Sequence, residues 1–382
     1  MTGTALKIAG NFRLVQGAGD IRIAQQTKLI PAAQMAIDVD ANPALIEQGI
    51  EHRKELEDII HGVDRRILLI PGVCSLLPTK RGIKEFLGLM GWLADLQERV
   101  RPWVKIVPRV GFYKPRTRSD DKSWSGAYQD RHMNNKSDIN DGLKLCRQVA
   151  IEIAELGLGI ATEVPDSTLP QYLPDALVTL WWVGARTVAS PELRRLTSGL
   201  SSQVAFKNPT DGKFETVLDA LDSASHSNYF TGPDYETAIE SWFQGTGQRG
   251  VTILRGSDRG LNYDHASVAK AQRALGERKH SRFIIVDTSH KNSWNPQRND
   301  GKGGYDYQLQ SVAFESVLGQ FIDGNRNLAI MSEMHIQEGN QPFQIGDDPD
   351  ALNPKKSCTD PCMSMRTFEQ YALHAAREVS RS

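Results

Sequence analysis

With 382 residues, the chain is long enough for one large domain or two ordinary ones, and an apolar fraction of 40% can fill a sizeable core. Its 45 Lys and Arg against 46 Asp and Glu give a formal charge of −1, which excludes an overall electrostatic footprint for nucleic acid or an anionic membrane. Four cysteines do not make a disulfide framework at this length, and neither a signal-peptide core nor a bilayer-length apolar run is present, so a reducing cytoplasm is the expected compartment.

In chain order, residues 1–30 read as an arm, followed by a proline-marked turn and a helix-like stretch from Pro43 to Ile60. Residues 1–62 are therefore expected to be an extension making oligomer or regulatory contacts, and 63–382 a catalytic unit. Short β-type runs then recur at 67–75, 105–110, 159–164, 181–187, 203–208, 250–256, 282–290 and 328–335. They are rich in Val and Ile and mostly non-alternating, as strands buried on both faces of a parallel sheet must be. The segments between carry helical stripes. Residues 83–98 show one, and Leu143, Cys146, Ala150 and Ile153 form another. Strands alternating with helices over roughly 270 residues predict an α/β fold, a (β/α)8 TIM barrel with an N-terminal extension, with a doubly wound open sheet as the alternative. Segments 293–305 and 341–357 read as long loops. Gly245–Gly250 matches GxGxxG by letter, but it precedes a strand instead of joining a strand to a helix, so it is no dinucleotide fingerprint. Cys358 and Cys362 have atypical spacing for a metal clip, and Cys146 lies on an apolar helix face.

A barrel builds its site at the C-terminal ends of its strands. The last residues of the eight runs are Cys74, Arg109, Glu163, Arg186, Lys207, Arg255, His290 and Glu333. Each can bind a metal, an anion or a proton. Taken singly, each has a plain structural reading, such as a core thiol or an ion-paired arginine. Together they divide by chemistry. Cys74, His290 and Glu333 offer sulfur, nitrogen and oxygen donors to a divalent transition metal. Arg109, Arg186, Lys207 and Arg255 form a cationic ring that needs a multiply anionic ligand. A metal beside an anion cradle suggests a metal-assisted reaction at a carbonyl.

The same residues carry a resemblance. RVGFYKPRT (109–117), HMNNKSDINDGL (132–143), PQYL (170–173), VGART (183–187) and SGLSSQVAFKNPTDG (198–212) resemble, in order, the motifs of type I 3-deoxy-D-arabino-heptulosonate-7-phosphate (DAHP) synthases. ILRG (253–256), DTSHKNS (287–293), EMHIQEGNQ (333–341), KSCTD (356–360) and DIRI (20–23) extend the match nearly end to end. The resemblance implies metal ligands Cys74, His290, Glu333 and Asp360, holding Mn2+, Fe2+, Co2+ or Zn2+. It implies a phosphoenolpyruvate (PEP) site of Arg109, Lys114, Arg186, Lys207 and Arg255 with Glu163 nearby, and Arg116 on the phosphate of erythrose 4-phosphate. The implied reaction is an aldol-type condensation giving DAHP and inorganic phosphate, the first step of the shikimate pathway to the aromatic amino acids. Cys74, His290, Asp360 and Lys114 are its catalytic group, with Lys114 as proton donor, its pKa expected to be lowered by neighbouring cations. A homodimer or homotetramer is implied, with no nucleic-acid or membrane partner. Regions matching Pro170 and Ser201 imply feedback by an aromatic amino acid without naming it.

Three departures concern the aldehyde. The family's GPCSIHD reads Gly72-Val-Cys-Ser-Leu-Leu-Pro78 here, so Val73, Leu77 and Pro78 are substituted; the loop 118–130 is long and acidic; and NPQRNDGKGGYDY follows His290. All three are expected where the second substrate approaches. A relative that condenses PEP with a different, phosphorylated aldehyde in secondary metabolism is thus an alternative, and a catalytically silent regulatory paralogue is another.

Overall fold

The computed structural model describes residues 22–23, 26–116, 122–136, 138–173, 177–341 and 343–382. Most of the 1–30 arm, half of DIRI and the first part of the 118–130 loop lie outside the described residues.

All eight expected strands form. They are β1 (Ile67–Gly72), β2 (Val104–Ile106), β3 (Ile160–Glu163), β4 (Val178–Val183), β5 (Gln203–Lys207), β6 (Val251–Leu254), β7 (Ile284–Asp287) and β8 (Leu328–His335). Every neighbouring pair is parallel, in the order β2-β1-β8-β7-β6-β5-β4-β3. The ring closes just beyond β2, where Arg109 bridges to Gly72 on one side and to Ala161 of β3 on the other. Val110 N–H donates to Ala161 O at 2.9 Å and Ala161 N–H to Pro108 O at 2.8 Å. This is a closed (β/α)8 barrel.

Strand alternation sorts the apolar residues into two cores. Leu68 and Ile70 point inward with Val107, Leu180, Ile253, Ile285 and Met331. Ile67 and Leu69 point outward against the helices. The helical stripes supply the other side of that outer core. α3 (Lys80–Val100) contributes Phe86 and Leu93, and α4 (Ile139–Glu155) contributes Leu143, Cys146, Ala150 and Ile153. Cys146 is a core thiol. α2 (Pro43–Ile60) starts on an Asn42 cap with proline in its first turn, and its Leu56, Ile59 and Ile60 join the interior cluster. It closes the N-terminal end of the barrel. There Lys105 of β2 is paired to Glu55 and lies 3.0 Å from His52 Nδ1, while Arg66 holds Glu55 at 3.1 Å.

Two features differ from expectation. An antiparallel hairpin, Asn228–Pro233 with Glu240–Gly245, stands between β5's helix and β6, with Phe230 stacked on Phe243 at 5.5 Å. Gly245 ends this hairpin, so the GxGxxG letters have a purely local role. The segment read as a loop after His290 also folds as a short hairpin, with Trp294 opposite Tyr305 and Asn295 opposite Gly304. Among the described residues no helix is long and apolar enough to cross a membrane.

Candidate active site at the barrel mouth

The strand ends are brought close by glycines. A Cβ on Gly72, whose φ is +153°, would lie 2.1 Å from the Arg109 carbonyl oxygen, and one on Gly111 would lie 2.1 Å from that of Cys74. Glycine at both positions lets the segments after β1 and β2 touch, so Cys74 and Arg109 stand side by side. They open onto a cleft of about 290 Å³ that also takes Lys114, Arg116, Glu163, Arg186, Lys207, Arg255, His290 and Asp360. Seven of the eight strand-end residues named from sequence therefore line one cavity. The eighth, Glu333, is buried directly behind Arg109, Oε1 to Nη2 at 3.1 Å.

The anion side is a set of buried cations over one aromatic floor. Arg109 Cζ and Lys207 Nζ each lie 5.4 Å from the Trp182 ring centroid, a cation–π geometry. Trp182 Nε1–H donates to Glu163 Oε2 at 3.2 Å. A Cβ on Gly184 would come within 2.1 Å of Glu163 Oε1, so that glycine leaves room for the carboxylate. Burial raises the pKa of Glu163, with Lys207 the main opposing influence. Lys207 Nζ is held by Asp287 at 2.7 Å, and burial lowers its pKa against that pull. Burial would raise Asp287, but Lys207 and then His290 hold its carboxyl well below the usual range. Arg109 Nε and Nη1 and Arg255 Nη1 are buried with no hydrogen-bond partner among the described residues. Such donors in a cleft are matched by a phosphate or carboxylate.

Arg255 is fixed by an asparagine trio. Asn208 Oδ1 accepts from Arg255 N at 2.8 Å, Asn262 Oδ1 accepts from Gly256 N at 2.7 Å, and Asn292 Oδ1 accepts from Asn262 N at 2.9 Å. Arg116 Nε donates to Trp124 O at 2.9 Å, which holds Arg116 at the cleft.

The donor side has Cys74 Sγ and carboxylate oxygens of Glu333 and Asp360 mutually within 4.8 Å, a group able to hold a metal ion. Two observations test the fit. Glu333 Oε1 is buried and, apart from its ion pair with Arg109, has no hydrogen-bond partner among the described residues. The Lys114 ammonium sits 2.6 Å from both Cys74 Sγ and Asp360 Oδ2, so the donors already attract a cation. Burial first, then Glu333, pushes the Cys74 thiol up to about 12, so the thiol would ligate only when a metal takes the proton's place. His290 stands at the edge of this group. It has φ +55°, its Nδ1 faces Asp287 at 3.0 Å and Ser289 Oγ at 2.8 Å, and its Nε2 is turned toward Glu333 Oε1 at 3.7 Å. That orientation leaves Nε2 as the ligating nitrogen.

Two expectations need correction. Lys114 does not have a lowered pKa. Burial pulls it down, but Asp360, then Cys74 and Glu333, outweigh that and raise it, because its nearest charged neighbour is the Asp360 carboxylate and not the cation ring. Val73, Leu77 and Pro78 do not face the second substrate. They are buried, Val73 and Leu77 lie in the outer core, and none lines the cleft. The chain turns under α3 here, and a Cβ on Gly82 would meet Leu77 O at 2.4 Å. Ser123 and Tyr305, from the other two departures, do reach the cleft.

Sequence reasoning missed Trp182, Asp287, the asparagine trio and Gln310. Gln310, on α9 (Leu309–Ile322), is fully buried; its Nε2 donates to Glu333 O at 3.1 Å and its Oε1 accepts from Glu333 N at 2.9 Å. The signal available was a glutamine at helical spacing with Ala313, Phe314 and Val317, on the helix's buried face.

Comparison with known proteins agrees with this geometry. The family model described as the DAHP synthetase I family matches residues 34–372. The chain is 32% identical to the Tyr-sensitive phospho-2-dehydro-3-deoxyheptonate aldolase of Salmonella typhimurium, over 94% of this chain and 96% of that protein. It is 30% identical to the Trp-sensitive enzyme of Escherichia coli K12, over 94% and 97%. The solved structure of phospho-2-dehydro-3-deoxyheptonate aldolase from Francisella tularensis SCHU S4 superposes with a TM-score of 0.84 at 29% identity, covering 94% of this chain and 98% of that one. With the family matched along almost the whole barrel and its relatives aligned nearly end to end, the chain belongs to the DAHP synthetase I family.

Proposed function

We propose that the chain is a metal-dependent 3-deoxy-7-phosphoheptulonate synthase, condensing PEP with erythrose 4-phosphate to give DAHP and inorganic phosphate. The observation that carries this reading is one cleft of about 290 Å³ in which a cation set with unpartnered buried donors meets a Cys/Glu/Asp donor group. The names of the relatives point the same way.

On this reading Arg109, Lys207, Arg255 and Arg186 hold the phosphate and carboxylate of PEP over the Trp182 floor, with Glu163 and Lys114 beside them. Cys74, His290, Glu333 and Asp360 hold a divalent ion such as Mn2+, Fe2+, Co2+ or Zn2+. That ion, when bound, supplies Lewis-acid polarisation of the aldehyde carbonyl. Arg116 grips the aldehyde's phosphate and brings its carbonyl carbon to the PEP methylene. A carbon–carbon bond forms there, and Lys114 Nζ protonates the oxygen. Water adds at the phosphate-bearing carbon, and cleavage of the bond to the phosphate oxygen releases inorganic phosphate. Lys114, held by Asp360, is protonated at neutral pH and so can act as a general acid.

A second reading, a different phosphorylated aldehyde, is favoured by the hairpin that sets Tyr305 into the cleft. We assign residues 63–382 to catalysis and 1–62 to subunit or regulatory contacts in a homodimer or homotetramer. The cytoplasm suits a site built around a reduced thiol, and all four cysteines are free. The test is incubation with PEP, Mn2+ and erythrose 4-phosphate, reading phosphate release and product mass, followed by a panel of other aldehydes. Failure to release phosphate with every aldehyde would end the proposal.

A further inference from the structure

The hairpin after His290 does more than cover the site. Behind it lies a second, outer cleft of about 390 Å³, lined by Trp294, Arg298, Asn299 and Asn340 among others. Among the described residues only two, Tyr305 and Asp360, line both this cleft and the inner chamber. They form the partition between the two. Asp360 is committed to Lys114 and Cys74, at 2.6 and 3.6 Å. Tyr305 makes no such contact with the reacting groups, and its ring lies 6.4 Å from that of His290.

The partition is a built structure. Tyr305 is paired with Trp294 in antiparallel register, and the Trp294 ring meets it edge-on at 5.5 Å. Lys291 Nζ caps the Trp294 ring at 3.9 Å. Arg298 Nη1 donates to the Tyr305 carbonyl at 2.6 Å, and Asp306 N–H donates to Ser293 O at 2.8 Å. Gly303, at φ +79°, is required, because a Cβ there would fall 2.4 Å from the Trp294 ring. The tyrosine ring is therefore held in place from behind and cannot easily yield to a longer substrate.

We infer that Tyr305 is a specificity-determining residue that sets the chain length of the aldehyde, closing the inner chamber toward the outer cleft. The inference rests on the PEP–aldehyde condensation proposed above. A small residue at this position would join the two cavities and admit the phosphate of an aldehyde longer than the tetrose to the cleft lined by Arg298, whose Nη1 lies 3.6 Å from Asp306 Oδ1. In a fitted pocket, one methylene too many is worth about 10–200-fold in discrimination.

The experiment compares the intact wild-type chain with Tyr305→Ala, Tyr305→Leu and Tyr305→Phe, each with PEP and Mn2+. The aldehydes are erythrose 4-phosphate and ribose 5-phosphate. The ratio of their kcat/KM values is the readout, and the closed-ring form of the pentose phosphate cancels because it is common to every variant. Tyr305→Ala is expected to shift the ratio toward the pentose by about tenfold or more, with KM for PEP within about twofold of wild type. Tyr305→Leu shifts it less, and Tyr305→Phe, which keeps the wall, retains the wild-type ratio. An unchanged ratio in both the Ala and Leu variants overturns the inference, as does a Phe variant that shifts as far as Ala. Failure of the underlying reading shows separately, as a wild-type protein that turns over neither aldehyde.

Discussion

Gln310 offers a direct test of how the barrel wall positions its acidic donor. Its side chain is fully buried and clamps the backbone of Glu333 from both sides, and Oε1 also accepts from Thr288 at 3.1 Å. Gln310→Met keeps the shape and removes the polar atoms. Thr288 is not orphaned, because it still reaches Met331 O at 3.1 Å and Ser332 Oγ at 2.9 Å. The Glu333 N–H loses its acceptor and the Glu333 carbonyl loses a donor. A buried group left without a partner costs about 1–3 kcal/mol, so the variant is expected to lose about 2–4 kcal/mol in denaturant unfolding. A residue that orients a ligand typically changes metal affinity by about 10–100-fold when removed. Calorimetric titration of Mn2+ should show a loss in that range. A destabilisation below about 1 kcal/mol together with unaltered metal affinity would refute the clamp.

Four further outcomes are expected. Chelation should abolish activity reversibly, and Cys74→Ser should weaken metal binding far more than Cys146→Ser, which instead costs unfolding stability because its position is fully buried; equal metal affinities in the two variants would contradict the ligand assignment. Because burial lowers the pKa of Lys207 and the charged form is needed to hold PEP, KM for PEP should climb on the alkaline side before pH 10.5, the ordinary lysine value, is reached. Lys207→Arg, which stays charged, should flatten that climb, and an unaltered profile would exclude Lys207 as its origin. Finally, PEP should tighten Mn2+ binding, and Mn2+ should tighten PEP binding by the same factor, about 5–150-fold by competition against a chelator and by PEP titration; independent binding would show that the two sets of residues are not coupled.

The barrel was legible because parallel strands buried on both faces are short apolar runs, and the barrel rule converts their last residues into a site. That logic located Cys74, Arg109, Lys207 and Arg255 without any contact information. It stopped where strand geometry stops. Beyond the last ladder residue, side-chain direction is set by the turn, so Val73 and Leu77 entered the outer core while Cys74, between them, reached the cleft. The 228–245 hairpin was missed because its strands alternate in exposure, whereas the barrel strands are continuous apolar runs. Gln310 was invisible for another reason. It lies 23 residues from Glu333 and meets it only through the packing of α9 on the barrel. Lys114 lines the cleft, but its charge balance differs from expectation, since sequence order puts it near arginines while the fold puts it against Asp360 and Cys74.

That difference points to how the site is balanced. Its cations and acids interleave. Arg109 lies against Glu333, Lys114 against Asp360 and Cys74, and Lys207 against Asp287. Buried charges are tolerated best when paired, and these three cations each rest against an anion while the substrate is away. Two of these three pairs take their anion from the metal-donor group. Glu333 and Asp360, which would hold the divalent ion of the proposed reaction, are the carboxylates that now pair with Arg109 and Lys114, so a bound ion would weaken those pairs and leave the two cations freer to attract the phosphate and carboxylate of PEP. The anionic substrate in turn removes the positive charges that oppose the ion. The reciprocal tightening predicted above would follow from this shared set of oxygens without movement of the barrel. Lys207 stands outside the exchange, because Asp287 belongs to neither the metal nor the substrate, and it anchors the cradle whichever ligand is bound.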